Sequence, residues 1–341
     1  MTRWGKAEVR IKRWYCPKCE CYGHTNPPGL DGSGLSPAVL KNLVYLGSHM
    51  SYRESQEALG LQDIELSLGQ VEQKHHGYAE VYEKECKDYL RDQAEQVLPQ
   101  GGGQTWVVQT DGMFVMERDK PAPGRCEGRE IKQAVLYPVA TPEQRHYVSH
   151  AGEVEQFSPL VHGLQRHLGM CQQDLLVGVA DGAAWIDGLF AELGVQVRIL
   201  DVYHATGYLD IVMQALGWDQ TRRDAHRDSW CRGDINARVW LSHHLPDPTV
   251  WLSWPEPARQ ALHYLEERLD QMDYYDFKQK GYPIGSGVIE GAANSVIASR
   301  MRRSGMRWSH SGINRMANLR SEFASAKPIL DFNNVRLLAF P

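Results

Sequence analysis

The chain has 341 residues, with 37 Lys and Arg against 42 Asp and Glu, which gives a formal net charge of −5 at pH 7. This balance excludes a uniformly basic protein, so any binding to nucleic acid must come from a local concentration of positive charge. No apolar run approaches the roughly 18 residues of a membrane span, and the N-terminus lacks the apolar core of a signal peptide. We therefore expect an intracellular protein without a membrane partner, of about two domains on a prior of roughly 150 residues each.

The N-terminal segment concentrates residues that bind metal ions. Cys16, Cys19, Cys21 and His24 offer three thiolates and one imidazole within nine residues, and Zn²⁺ is the metal that this donor set favours. The second, distant C-x-x-C of a common zinc ribbon is missing, so a zinc site and reduced, unligated thiols are both open. Cys16 and Cys19 are the first candidates as ligands. Because Cys16 lies so near the first residue, a longer N-terminal region is one interpretation of this segment.

Two capping boxes predict helix starts in the next region. Ser51 precedes Glu54 by three residues, and Ser67 precedes Gln70 by three. A short helix, a turn and another helix resemble a DNA-binding helix-turn-helix, although capping boxes open helices of every purpose. Apolar residues then recur at helical spacing over 70–97, which indicates a long helix that packs within the chain or dimerises. We prefer packing.

A glycine triplet at 101–103 predicts a domain boundary, beyond which strand-like alternation begins. Three strands come first, and strands then alternate with helices, which implies an α/β protein with a mixed sheet and helices on its faces, the order of a ribonuclease-H-like fold. A Rossmann domain shares the alternation, but no G-x-G-x-x-G follows any predicted strand. The predicted strands are 105–117, 130–140, 145–150, 174–181 and 195–201, and the predicted helices are 154–168, 183–193 and 203–216.

Two aspartates mark strands that would be neighbours in this sheet. Asp111 lies within the first strand and Asp181 ends the fourth, and each precedes a glycine that leaves room near the carboxylate. With Glu290 from a later helix they would form a pocket of three carboxylates, which repel one another unless cations neutralise them. Mg²⁺ or Mn²⁺ suits such oxygen ligands, and two ions about 4 Å apart can drive phosphodiester displacement. Aspartates at strand ends also form turns and caps, so these positions alone are not decisive.

The segment 281–320 contains Glu290 and then six arginines with no further acidic residue. One or two arginines at a helix end can complement the helix dipole, but six exceed that role. Contact with phosphate is therefore the interpretation we prefer. Asn294 lies one helical turn after Glu290 and can share its face, whereas Trp308 is either a wedge or a core residue. The expected DNA-binding residues are Asn294, Arg300, Arg302, Arg303, Arg307 and Trp308.

Around these acids the chain resembles the DDE transposases of bacterial insertion sequences, most closely the Kra family and more distantly the Mutator-like superfamily. The resemblance spans about two-thirds of the chain and implies that Asp111, Asp181 and Glu290 are the catalytic triad. It also implies that Asp201 and His204 form the D-x-x-H pair that follows the fifth strand. Asp201 ends an apolar strand too and stays open as the second acid, and His204 either serves the site or is structural. The matching segments are TDGMFV at 110–115, VADGAAW at 179–185, ILDVYHA at 199–205 and GSGVIEGAANSVIASRMRRSGMRWS at 285–309.

The same resemblance implies what the protein does and how it is organised. A metal-dependent transposase would cleave double-stranded DNA at the terminal inverted repeats of its element and join it to target DNA, as a homodimer or higher oligomer in the bacterial cytoplasm, associated with the nucleoid. An inactive descendant that binds DNA sequence-specifically, or a structure-selective nuclease, is the alternative. The expected regions are a cysteine-bearing candidate zinc segment at 1–34, helix-turn-helix-like and long helices at 35–100, a catalytic core at 104–217, a helical insertion at 218–280, and the glutamate helix with a basic region at 281–341.

The expected insertion is rich in tryptophan. Such insertions in related transposases pack against the catalytic core and contact the transposon ends, an implication of the resemblance. The tryptophans either belong to the core, which we prefer, or stack on a flipped base. They are Trp230, Trp240, Trp251 and Trp254.

Overall fold

The computed structural model describes residues 13–18, 21–24, 34–118 and 127–330. Its first elements are two short strands, β1 (Arg13–Cys16) and β2 (Cys21–His24), which pair antiparallel and set Cys16 opposite Cys21. Cys19 lies outside the described residues. The expected zinc site therefore stays a prediction.

Three helices follow, α1 (Pro37–His49), α2 (Tyr52–Gly60) and α3 (Leu68–Ala94). Both predicted capping boxes are present. The side chains of Ser51 and Ser67 each accept a hydrogen bond from the backbone amide of the third helical residue, and the side chain of that residue accepts one from the backbone amide of the serine. The apolar stripe of α3 is buried, including Tyr78, Tyr82 and Leu90. The long helix therefore packs within its own chain, as the preferred interpretation has it.

A five-stranded mixed sheet forms the centre of the molecule. Its spatial order is β5-β4-β3-β6-β7, in which β3, β4 and β5 pair antiparallel while β6 and β7 run parallel to β3. The five strands predicted from the sequence are all present, with ends shifted by at most a few residues. Their bounds are β3 (Thr105–Glu117), β4 (Glu127–Pro138), β5 (His146–His150), β6 (Leu175–Ala180) and β7 (Val197–Leu200).

Helices cover both faces of the sheet, which explains why β6 is a continuous apolar run rather than an alternating one. One face packs against α1 to α3 together with α4 (Val154–His167) and α5 (Ala184–Glu192). A close contact fixes α3 on α4, because a Cβ at Gly163 would collide with the backbone of Leu90. The N-terminal helices therefore share a hydrophobic core with the sheet.

The other face packs against α6 (Val202–Ala215), the insertion and the C-terminal helices. Trp230 and Trp240 are buried in this core, as the preferred interpretation of these tryptophans expects. Trp251 and Trp254 are partly buried and pack against it. Among the described helices, none has the length and apolar character needed to cross a bilayer. The insertion helices are α7 (Gln220–Cys231), α8 (Ala237–His244), α9 (Pro248–Trp251), α10 (Glu256–Glu266) and α11 (Tyr274–Gln279).

The C-terminal part carries Glu290 back to the sheet. Glu290 lies on α12 (Gly287–Ala292), which continues through a π-helical turn, Ala293–Ala298, into the short α13 (Ser299–Met301). The chain then passes beside the far end of β3, where the Trp308 amide donates to the Met116 carbonyl at 3.0 Å. It ends in α14 (His310–Ala324), which packs against β5 and α3. π-helical turns inside helices often mark functional sites.

Candidate active site

Asp111 and Asp181 are brought side by side by the register of two parallel strands. The last paired residues of β3 and β6 are Gln109 and Val179. Asp111 lies two residues further along β3, on the same face as Gln109, and Asp181 is the first residue after β6. Both carboxylates are half-buried. The sequence-based prediction that strands one and four are neighbours is confirmed.

Glu290 lies close enough to influence the charge of Asp111. Burial raises the pKa of Asp111, and the carboxylates of Asp181, Glu290 and Glu130 raise it further, against a hydrogen bond from the Gly112 amide that lowers it. Mutual repulsion of this kind requires the carboxylates to be near one another. Glu130 was not expected here, because its position depends on the pairing of β3 with β4, which residue spacing does not reveal.

The glycines that follow the two aspartates leave room, but neighbouring side chains already occupy it. A Cβ at Gly112 would collide with the carboxylate of Glu130. Gly182 has φ +79° and a Cβ there would lie 2.5 Å from the hydroxyl of Tyr264, which donates to the carbonyl of Asp181 at 2.9 Å. The space that the two glycines leave is therefore filled by Glu130 and Tyr264.

The helix that carries Glu290 is attached to the sheet by the side chain of Gln109. This side chain is fully buried and lies on β3, two residues before Asp111. Its amide nitrogen donates to the Gly285 carbonyl at 3.2 Å, and its oxygen accepts from the Ile289 amide at 3.1 Å. Gln109 therefore couples the positions of Asp111 and Glu290. A lone glutamine in a strand gives no sequence signal of such a role.

Ser286 links Glu290 to Asp201. Its hydroxyl lies 2.6 Å from a carboxylate oxygen of Glu290 and 2.9 Å from one of Asp201, and its single proton can be donated to only one of them at a time. The Ser286 amide also donates to Asp201 at 2.7 Å. Glu290 itself is exposed. The Glu290 carboxylate is thus oriented by the buried Ser286 while it stays exposed to solvent.

Asp201, the alternative second acid, is an anchor within the fold. It is 2% exposed, and both of its oxygens accept hydrogen bonds from the chain. One oxygen caps α6 through the His204 amide at 2.7 Å, and the other holds Ser286. Within the described residues, the carboxylate of the half-buried Asp181 accepts one hydrogen bond, from the Ala183 amide at 3.0 Å. The local geometry therefore favours Asp181.

His204 lies at the start of α6, beside the neighbours of Asp181. Its ring packs edge-on against Tyr208, with centroids 5.3 Å apart, and 6.1 Å from Tyr264, the residue whose hydroxyl binds the Asp181 carbonyl. The expected contribution of His204 to the site stays a prediction. Over the described residues, no three His, Cys, Asp or Glu side chains converge tightly enough to hold a single metal ion.

The arginines after Glu290 do not all face solvent, contrary to the sequence-based expectation. Arg300 is 2% exposed and donates to the Gly47 carbonyl, so the expectation that it contacts phosphate as a surface residue is corrected by its burial. Arg320 is also buried and binds backbone carbonyls of Ser48, Ser295 and Val296.

Two further arginines have acidic partners from the N-terminal helices. Arg303 pairs with Glu54 at 2.8 Å, and Arg315 pairs with Glu80 at 2.9 Å. The absence of acidic residues between Glu290 and Arg320 in the sequence therefore does not mean an absence of acidic partners in space. These arginines attach the C-terminal helices to α1, α2 and α3.

The remaining expected DNA-binding residues differ in how available they are. Arg302 and Arg307 are exposed, and their guanidinium groups make no hydrogen bond or ion pair within the part of the chain that the structure describes. Asn294 is exposed, and its amide donates to the Glu290 carbonyl at 3.3 Å. Trp308 is half-buried, and its ring nitrogen donates to the Met301 carbonyl at 3.0 Å. Arg302 and Arg307 are thus the cations best able to meet a phosphate.

Comparisons with known proteins add little to this geometry. No protein-family profile matches the chain, and no curated protein matches it. Among solved structures it is similar to a chain of the Mos1 strand transfer complex, at 11% identity and a TM-score of 0.18, over 74% of this chain and 79% of that one. It is also similar to a chain of a pre-cleavage Mos1 transpososome, at 10% identity and a TM-score of 0.18, over 80% and 81%. Likeness at this level leaves fold and function to be argued from the residues.

Proposed function

We propose that this chain is a DDE-type transposase with a ribonuclease-H-like catalytic core, which cleaves DNA and transfers strands at the ends of a bacterial insertion sequence. The observation that carries the proposal is the pairing of Gln109 with Val179, which sets Asp111 on β3 next to the end of β6, where Asp181 directly follows. The sheet order supports the fold, with three antiparallel strands followed by two that run parallel to the first. The sequence resemblance supplies the reaction class.

The donor set fits Mg²⁺ or Mn²⁺. Asp111, Asp181 and Glu290 offer only carboxylate oxygens, which hard divalent cations prefer. One oxygen of Asp111 accepts from the Gly112 amide and one of Asp181 accepts from the Ala183 amide, so within the described residues the second oxygen of each can bind a cation. Bound there, such ions would supply an activated hydroxyl and charge stabilisation at the leaving oxygen.

The chain's own residues have the task of holding this arrangement. Gln109 keeps the Glu290 helix at a fixed distance from the strand of Asp111, and Ser286 orients the carboxylate of Glu290. Arg302 and Arg307, on the segment that follows this helix, can bind backbone phosphates of double-stranded DNA. The same site would serve cleavage at the terminal inverted repeats and joining to target DNA. Because an element has two ends, we propose that the protein acts as a homodimer or higher oligomer.

The proposal is tested by excision of a marker flanked by the DNA that neighbours the gene. Wild type is compared with Asp181→Asn, which keeps the shape of the side chain but removes its charge. We expect excision or circle formation by wild type, with a loss on the order of 10⁴-fold in the variant, the scale for removing one member of a catalytic set. Activity in both proteins would remove Asp181 from the site. Activity in neither, with DNA binding retained, would favour the inactive DNA-binding descendant.

A further inference from the structure

A polar cavity of about 300 Å³ opens between the N-terminal helices and the chain that follows α13. Its walls come from the start of α2, the first turns of α3, the end of β3 and residues 305–312. We call it the α2–α14 cavity. The cationic and aromatic side chains that line it are Tyr52, His76, Arg118, Arg300, Arg307 and Trp308.

The charge of this cavity is predominantly positive. Three guanidinium groups line it against one carboxylate, that of Glu72. Arg300 is fixed at its inner wall, 5.4 Å from the ring centre of Tyr52 and 5.0 Å from that of Trp308, whereas Arg118 and Arg307 are exposed at its mouth. A buried cation behind exposed ones attracts an anion of matching size, because the low-dielectric wall strengthens the interaction.

Two helices begin at the same cavity. Ser51 caps the start of α2 and Ser309 caps the start of α14, and both residues line the wall together with Gly312. A helix start carries partial positive charge and presents backbone amides to an anion. The arginines and the two helix starts therefore favour the same kind of ligand, although each comes from a different part of the chain.

We propose that the α2–α14 cavity binds a backbone phosphate of the DNA on which the carboxylate site acts, an inference that rests on the proposed function. Arginine forks match the oxygens of a phosphate, and such contacts fix the register of a protein on DNA. A second cavity, lined by Phe114, Met116 and Arg302, shares Gly305, Met306 and Arg307 with the first and continues the path along β3.

The position of the cavity limits which phosphate it can hold. Arg118 follows Asp111 by seven residues along β3 and its end, so at about 3.3 Å per residue the two lie at most about 23 Å apart. Successive phosphates of one strand of duplex DNA are spaced about 3.4 Å apart along the axis. The bound phosphate therefore lies within about seven base pairs of the bond that is cut.

The test removes the two exposed cations at the mouth of the cavity. The full chain carrying Arg118→Ala and Arg307→Ala is compared with wild type for binding to a labelled DNA duplex of unrelated sequence, because phosphate contacts do not depend on sequence. A matched control, Lys84→Ala with Arg91→Ala, removes two exposed positive charges from later turns of α3. Thermal melting of all three proteins verifies that each is folded.

The readout is the dependence of the binding constant on salt between about 50 and 200 mM. We expect the slope of log K against log [salt] to become shallower by about one in the cavity variant, since each phosphate contact contributes about 0.9. The control should keep the slope of wild type. An unchanged slope in the cavity variant, or an equal change in the control, would overturn the inference.

Failure of the cavity inference can be distinguished from failure of the proposed function. If wild type cuts DNA while the cavity variant keeps the wild-type slope, the cavity inference fails alone. If the slope changes as expected but neither wild type nor Asp181→Asn cuts DNA in the excision assay, the cavity is a phosphate site of a protein that is not a transposase.

Discussion

The carboxylates of the candidate site and the arginines that follow them are both dense clusters of charge, yet the fold uses them in opposite ways. Asp111, Asp181 and Glu290 keep their oxygens accessible, and neutral side chains such as Gln109 and Ser286 hold their backbone in position. Of the six arginines, four bind carbonyls or carboxylates within the chain. The difference shows that charge density in a sequence does not measure how much charge a ligand can reach.

Asp201 shares features with both clusters. It is the carboxylate of the D-x-x-H pair, but like the buried arginines it bonds to groups within the chain. Replacing it by alanine leaves the His204 and Ser286 amides without their acceptor and leaves the Ser286 hydroxyl to donate to Glu290 alone. We expect a loss of about 4 kcal/mol in the free energy of unfolding, since hydrogen bonds to a buried charged group are the strong ones. Urea denaturation measures it.

Asp181→Ala is the matched control for this change. Because Asp181 is half-buried and accepts one hydrogen bond, its loss should change the stability by no more than about 1 kcal/mol. Equal destabilisation by the two alanine variants would show that the fold uses both aspartates in the same way, which contradicts the distinction between anchor and ligand.

Arg320 and Arg302 offer the same comparison within the arginine run. Arg320→Ala removes a buried guanidinium from three backbone carbonyls and the Ser299 hydroxyl, and should cost about 3 kcal/mol of stability. Burial lowers the pKa of Arg320 to about 10, with Arg300 and Arg303 adding to the effect, so the group stays charged at neutral pH. Arg302→Ala should change the stability by at most about 0.5 kcal/mol.

Arg320→Ala should have the larger effect on stability, whereas Arg302→Ala should have the larger effect on DNA binding. Arg302→Ala is expected to weaken binding and to make its salt dependence shallower, because an exposed cation contributes one phosphate contact. Arg320→Ala should bind with the salt slope of wild type as long as the protein is folded. If Arg320→Ala alone changed the slope, the division into internal and available arginines would be wrong.

Gln109 tests whether the carboxylates depend on the polar side chains behind them. Gln109→Leu keeps the volume of the side chain but removes the donor to the Gly285 carbonyl and leaves the Ile289 amide with the Ser286 carbonyl as its acceptor. We expect a loss of about 2 kcal/mol in stability and slower DNA cleavage, with the affinity for DNA unchanged. Single-turnover cleavage measured beside DNA affinity separates the two effects. A variant that is less stable but cuts at the wild-type rate would reduce Gln109 to a structural residue.

The pair of Glu54 and Arg303 gives the smallest expected effect. Hydrogen bonds from the backbone and side chain of Ser51, and then from Arg303, lower the pKa of Glu54 to about 2. A lowered pKa in the folded state adds stability above the ordinary pKa of a glutamate, and this stability is lost as the pH falls through about 2. In Arg303→Ala the pKa of Glu54 should rise only partway, because Ser51 supplies the largest contribution. Carboxyl titration by NMR measures the rise, and a return to the ordinary value would contradict the order of these causes.

The sequence predicts the sheet well because strands follow from local alternation and from apolar runs. Its prediction that the first and fourth strands of the sheet are neighbours also succeeds, since the order of strands and helices restricts the topology. Glu130, Gln109 and the partners of Arg300 were not predicted. Each depends on contacts between residues far apart in the chain, such as Arg300 with Gly47, and these have no local pattern.

The central claim is that Asp111, Asp181 and Glu290, and not Asp201, bind divalent cations. Titration of Mn²⁺ into the folded protein, followed by calorimetry or by the electron paramagnetic resonance signal of the free ion, tests this claim without DNA or catalysis. The account predicts that wild type binds Mn²⁺, that Asp181→Asn weakens this binding at least about tenfold, and that folded Asp201→Asn retains it better than Asp181→Asn does. Binding to Asp181→Asn that equals wild type, or a greater loss in Asp201→Asn, would contradict it.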